Sequence, residues 1–317
     1  MEPAHRTPSR RILLTSAAGA ALATALSPSG SAHAATPGDD GETVRRLKDL
    51  EQRHAARLGV YARDTATGRT VRYRAHERFP ICSVFKTLAA AAVLRDLDRD
   101  GEFLARRLRY TEQDVRDSGY APVTGRPENL AAGMAVAELC AAAIRHSDNA
   151  AANLLLRELG GPTAITRFCR SIGDRTTRLD RWEPDLNSAE PRRATDTTSP
   201  SAVGRTYARL VLGTALAPRD RERLTGWLLG NTTGGERLRA GLPSGWTVAD
   251  KTGTGRYGTA NDVGVVRPPG RAPLVLSVLT TRHEPDASPD SALIAETAAV
   301  LAETLTRRAA QAPARRG

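Results

Sequence analysis

Apolar and polar positions alternate with two different periods along this chain. In TVRRLKDLEQRHAARL, residues 43–58, apolar side chains recur at Val44, Leu47, Leu50 and Leu58 with charge between them, which predicts an amphipathic helix. The period then shortens. GVYARD and TVRYRA flank Thr65-Ala66-Thr67-Gly68 and read as a β-hairpin. From Ser83 the pattern turns helical through TLAAAAVLRDL, residues 87–97, which is apolar on most faces and so predicts a buried central helix. Further helices are predicted in VAELCAAAIRH, NAAANLLLREL, PTAITRFCRSI, SPSAVGRTYARLVLG and PRDRERLTGWLLG. Strand patterning returns in GWTVADKTG, TANDVGVVR and PLVLSVLTT, and SALIAETAAVLAETLTRR predicts a closing helix. Strands at both ends and helices between them imply an α/β layer built from both termini, with an inserted all-α region. The expected boundaries are 44–81 and 229–308 for the α/β part and 82–228 for the all-α part.

Composition changes this picture mainly at the ends. The chain has 317 residues, 40% hydrophobic and 26% charged, as expected of a folded soluble protein with a sizeable core. Aromatics are only 4%, so aliphatic residues and alanine must fill that core. Residues 1–34 read as an export signal. Arg10-Arg11 precedes a short apolar stretch, Ala32-His33-Ala34 offers small residues for cleavage, and the arginine pair favours the twin-arginine route. The mature chain is expected to begin near Ala35, to be secreted and to carry no membrane span. Residues 309–317 read as a basic tail. The net charge is +11, and removing residues 1–34 takes away three Arg and one Glu and leaves +9. Such basicity can indicate nucleic acid. Here, however, the arginines are scattered among acids, as in RDLDRDGEFLARRLR, and no nucleic-acid-binding pattern is present. Cys82, Cys140 and Cys169 are odd in number and match no zinc spacing, and the six histidines form no i, i+4 pair, so neither metal nor cofactor is expected.

The cations direct attention to one place. Of 46 Lys plus Arg only three are lysine: Lys48, Lys86 and Lys251. Lysine can lose its proton when desolvated, and arginine cannot. Lys86 follows Ser83 by three residues in ICSVFKTLAA, so both fall on one face of the helix that starts there. A serine at a helix N-terminus also has free N–H groups beside it, able to stabilise an oxyanion. Ser83 and Lys86 are therefore a candidate nucleophile and base. No Gly-x-Ser-x-Gly elbow exists, which argues against an ordinary α/β-hydrolase.

Three more clusters accompany this pair. Ser147-Asp148-Asn149 lies between two predicted helices and by itself reads equally as a helix cap. Glu183 and Asn187 are four residues apart in RWEPDLN, otherwise a surface loop. Lys251-Thr252-Gly253-Thr254-Gly255 ends a predicted strand. Together, and in this order over residues 44–308, the four motifs resemble those of the class A serine β-lactamases.

That resemblance implies a β-lactamase/transpeptidase-like fold, an antiparallel sheet flanked by helices, and hydrolysis of a small-molecule β-lactam by a monomer without cofactors. By the same resemblance Ser83 attacks the β-lactam carbonyl, with the backbone N–H groups of Ser83 and Thr254 as oxyanion hole. Lys86, or Glu183 through a water, activates Ser83, and Ser147 passes a proton to the leaving nitrogen. Glu183 and Asn187 hold the deacylating water. Asn149 binds the substrate amide, Lys251, Thr252 and Thr254 face its carboxylate, and Tyr120 walls the cleft. Residues 181–196 match the family's omega-shaped loop, with an Arg181–Asp196 ion pair across its base and a cis peptide at Glu183-Pro184. The chain departs from many members in having Ala260 where they place a carboxylate-binding arginine; Arg237 matches the substitute position of a subset. A bridge to Cys140 would need a partner near Ala90, so none is expected. Two other readings share these motifs: a penicillin-binding carboxypeptidase or transpeptidase, which would lack the positioned Glu183 and Asn187, and a non-catalytic β-lactam or cell-wall binding module.

Overall fold

The computed structural model describes residues 37–307, with side chains from residue 41. The expected export signal and basic tail lie outside the described residues. The centre of the fold is one antiparallel sheet of five strands. From edge to edge its order is Thr70–Tyr73, Arg57–Asp64, Leu274–Thr281, Thr259–Arg267 and Thr247–Gly255. The two ends of the chain are thus joined where Val60 pairs with Val278, beside the hairpin pairing of Val60 with Tyr73. At the far edge Lys251 pairs with Val263 and Gly253 with Asn261.

Both faces of the sheet are covered, so its three inner strands are buried almost throughout. On one face, helices Pro37–Arg53 and Ser291–Thr306 pack Leu47, Leu50, Leu293 and Leu301 against Leu58, Val60 and Leu276. Burying each such side chain stabilises the fold by about 1.5–3 kcal/mol. On the other face lies helix Pro200–Val211. A Cβ at Gly204 of this helix would stand 2.7 Å from the Tyr61 ring, so only glycine permits that approach.

The first helix is shorter at its C-terminal end than the pattern predicts. It stops at Arg53, the chain turns through Ala55 at φ 45°, and Leu58 lies on the first strand. Leu58 sits at a helical spacing from Leu50, but it equally begins the alternation Leu58, Val60, Ala62 toward one core cluster with Tyr61 toward the other. The sheet supplies the partners that decide between these periods.

Helix Phe85–Ala92 runs through the middle of the remaining helices, and all eight of its residues are buried. It packs against Val136–Arg145, Asn149–Glu158, Thr163–Ser171 and Pro218–Leu229. A 3-10 turn, Cys82–Val84, precedes it, and a π turn, Val93–Leu97, follows. The short helix Glu112–Ser118 was not predicted, although Thr111 and Asp114 form its capping box. Cys82, Cys140 and Cys169 are buried and unpaired, and burial pushes each thiol's pKa up. Among the described residues no helix is long and apolar enough to cross a membrane, and no group of three His, Cys, Asp or Glu could hold a metal.

Candidate active site

The four motifs converge on one cleft of about 340 Å³. Ser83, Tyr120, Ser147 and Asn149 line it on one side, Thr252 and Thr254 on the other. The sequence predicts a helix start at Ser83; Ser83 instead occupies the 3-10 turn, and the α-helix begins at Phe85. Its Oγ donates to Glu183 Oε1 at 3.3 Å. Lys86, one helical turn on, reaches the same Oε1 at 3.0 Å. Lys86 Nζ also donates to Ser147 O at 2.8 Å and to Asn149 Oδ1 at 2.6 Å. Burial lowers the Lys86 pKa, and the Glu183 carboxylate opposes that shift. Three acceptors around one amine favour the ammonium form, since a neutral amine has only two hydrogens to give. These contacts favour the charged form of Lys86 against its burial.

Ser147 is held between the two lysines. Its Oγ lies 3.1 Å from Lys251 Nζ and 3.4 Å from Lys86 Nζ. The residue has φ 56°, a left-handed conformation uncommon for serine. Lys251 is completely buried, and burial followed by the charge of Lys86 drives its pKa well below the usual lysine value. Asp148 caps helix Asn149–Glu158 through Ala151 N, as the cap reading suggested, but it does more. Its carboxylate also accepts from Val123 N, Thr124 N and Thr124 Oγ1 at 2.8–2.9 Å, which ties the Tyr120 loop to the motif. Replacing Asp148 by alanine strands several inward-facing donors and is expected to cost about 3–5 kcal/mol, measurable by urea unfolding.

Glu183 is only 3% exposed. Its Oε2 accepts from Asn187 Nδ2, and Asn187 Oδ1 is buried without a partner. The Glu183-Pro184 bond is cis. At the loop base Arg181 Nε donates to Asp196 Oδ2 at 2.6 Å, and Asp196 also accepts from the N–H groups of Asp180 and Arg181. Asn153, which sequence reasoning missed, clamps the Glu183 backbone. Its Oδ1 accepts from Glu183 N at 3.0 Å and its Nδ2 donates to Glu183 O at 2.9 Å. Thr233 was also missed; it lines the cleft and lies 2.5 Å from Thr252 Oγ1. Arg237 reaches the cleft wall, donating to Thr254 Oγ1, Gly253 O and Asn261 O at 2.7–2.8 Å. Ala260 is buried in the core cluster on the other face of the sheet. Asn149 Nδ2 donates to Ser118 O at 2.9 Å, which leaves one amide hydrogen for a ligand. Tyr120 is 57% exposed at the mouth.

Residues 42–305 match the model of the beta-lactamase enzyme family. The chain belongs to that family. Within it the enzyme is a class A serine β-lactamase, which opens the β-lactam amide bond of penicillin- and cephalosporin-type antibiotics through a serine acyl-enzyme and so confers resistance. It is 70% identical to a beta-lactamase of Streptomyces lavendulae over 94% of this chain and 97% of that one. It is 52% identical to the carbapenem-hydrolyzing beta-lactamase KPC of Klebsiella oxytoca, over 81% of this chain and 86% of the other. The solved beta-lactamase from Streptomyces albus G superposes with a TM-score of 0.82 at 67% identity, covering 83% of this chain and 99% of that one. The fold class read from the sequence agrees with these neighbours of the enzyme.

Proposed function

We infer that Ser83 is the nucleophile, Glu183 its first proton acceptor, and Lys86 with Ser147 the path that returns a proton to the substrate. The observation that carries this is the Ser83 hydrogen bond to Glu183, together with the Lys86 amine 3.0 Å from the same carboxylate oxygen. As Ser83 Oγ attacks the lactam carbonyl, its proton passes to Glu183. The backbone N–H groups of Ser83 and Thr254 receive the developing oxyanion. Ser147 gives its proton to the ring nitrogen as the C–N bond breaks and takes another from Lys86, and Lys86 recovers that proton from Glu183. All protons are then accounted for, and Glu183 is again a carboxylate. It next removes a proton from the water that attacks the ester, and the unpartnered Oδ1 of Asn187 is well suited to orient that water.

Lys251, Thr252 and Thr254 receive the substrate carboxylate, with Arg237 supplying the charge that Ala260 cannot. Asn149 binds the amide side chain, and Tyr120 covers it. Arg237→Ala is expected to raise KM for benzylpenicillin about 10- to 100-fold with a smaller change in kcat, consistent with loss of one charged contact. An unchanged KM would remove Arg237 from the site.

The enzyme is exported by a cleaved signal ending near Ala34-Ala35 and acts as a monomer without nucleic acid. The chain divides into an α/β part, 44–81 with 229–308, and an all-α part, 82–228. The twin arginine supports the export, the origin of the sheet strands supports the division, and the scattering of arginines among acids supports the absence of nucleic acid. The test of the function is the intact mass of the mature enzyme during incubation with excess benzylpenicillin, while substrate loss is followed. A transient adduct with rapid turnover, both absent in Ser83→Ala, is expected. A persistent adduct without turnover would favour a penicillin-binding enzyme.

A further inference from the structure

A second cavity, of about 830 Å³, lies along the omega-type loop and shares no lining residue with the cleft. Three separate stretches form it: the start of strand Arg57–Asp64 with the turn at residues 77–80, the loop from Arg181 to Thr197, and residues 281–283 after the last strand. Its lining is unusual in charge. Arg57, Arg78, Arg181, Arg192, Arg193 and Arg282 all contribute. Against these six arginines stand three carboxylates, Glu77, Glu190 and Asp196. The carboxylates are already engaged, by Arg57, Arg193 and Arg181 respectively.

Two of the remaining arginines have no carboxylate partner, and the third has a donor to spare. Arg78 donates only to neutral oxygens, Thr176 O at 3.1 Å and Thr197 Oγ1 at 3.2 Å. Arg192 forms no hydrogen bond or ion pair through its side chain among the described residues, and it is held on the exposed part of the loop at φ 65°. Arg282 pairs with Asp290 through one terminal nitrogen, while its buried Nε has no partner. Like charges brought together in a concave site repel one another unless an anion joins them, and such a site concentrates anions from solution. Guanidinium groups suit phosphate in particular, because each can offer two parallel donors to its oxygens. The cavity is too large for one phosphate, and its arginines reach it from three directions.

We propose that this cavity is a binding site for a short multivalent phosphate chain, an oligophosphate, held by Arg78, Arg192 and Arg282. The site is distinct from the substrate cleft, yet it shares Arg181 and Asp196 with the base of the loop that carries Glu183.

The test is calorimetric titration of the mature enzyme with sodium tripolyphosphate, at constant ionic strength, alongside steady-state hydrolysis of benzylpenicillin. One anion is expected to bind per enzyme in the presence of saturating substrate product as well as without it, since the second cavity does not compete with the cleft. Combining Arg78→Gln with Arg192→Gln is expected to weaken binding about tenfold or more while hydrolysis in phosphate-free buffer is unchanged. Arg192→Glu alone, at an exposed loop position, is expected to weaken it several-fold while the melting temperature stays that of the wild type. Equal affinity in the wild type and both variants, binding lost when the cleft is occupied, or heat that sodium chloride alone reproduces would each overturn the proposal.

Discussion

Glu183→Gln is expected to convert turnover into trapping. Glutamine keeps the shape of the side chain and can still meet Asn187, but it cannot take a proton. Benzylpenicillin should accumulate as a stable one-to-one adduct on Ser83, visible by intact mass, with deacylation slowed about 10²–10⁴-fold, the usual loss when a general base is removed. Acylation should slow as well, because the Ser83 hydroxyl donates to Glu183. Rapid-quench measurement of adduct formation separates the two steps. Acylation at the wild-type rate would mean that Lys86, and not Glu183, takes the Ser83 proton. Undiminished turnover would remove Glu183 from the mechanism altogether.

Lys86→Arg is expected to fold but to lose most acylation, by about 10³-fold or more. Charge is retained in this variant, so the loss tests shape and proton transfer, not electrostatics. The Lys86 amine sends hydrogens in three directions, to Ser147 O, Asn149 Oδ1 and Glu183 Oε1. A planar guanidinium cannot match that arrangement, is larger than a site with no exposure allows, and will not give up a proton to Ser147. Pre-steady-state acylation by benzylpenicillin is the measurement, with circular dichroism to establish folding. Near-normal acylation would show that the amine serves only as a fixed positive charge.

Much of this site was legible in the sequence because its chemistry uses rare choices. In a chain of arginines, Lys86 and Lys251 mark the two places where a compact amine is buried. Glu183 and Asn187 stand out only in company with those lysines, since a glutamate in a polar loop is ordinary. Asn153 and Thr233 could not be found in the same way. Both are common residue types, and what distinguishes them is the distant backbone or hydroxyl they meet, Glu183 and Thr252. The strands of the final third were legible because both faces are buried and their apolar runs end in glycine or a charge. The first helix was carried too far because Leu58 satisfies two periods at once. The arginine-lined cavity left no local signal, since its stretches are separated by about a hundred residues in each direction and scattered arginines look like surface.

The complete burial of helix Phe85–Ala92 has a consequence for how the enzyme fails when heated. Ser83 and Lys86 belong to the innermost packing of the molecule, so no peripheral fraying can displace the nucleophile on its own. Displacement of Ser83 and Lys86 on warming should coincide with melting of the core as a whole, so any earlier loss of acylation would come from the loop that carries Glu183. Where no such earlier loss occurs, the fraction of molecules still able to take up a covalent penicillin label is a direct count of folded molecules at that temperature.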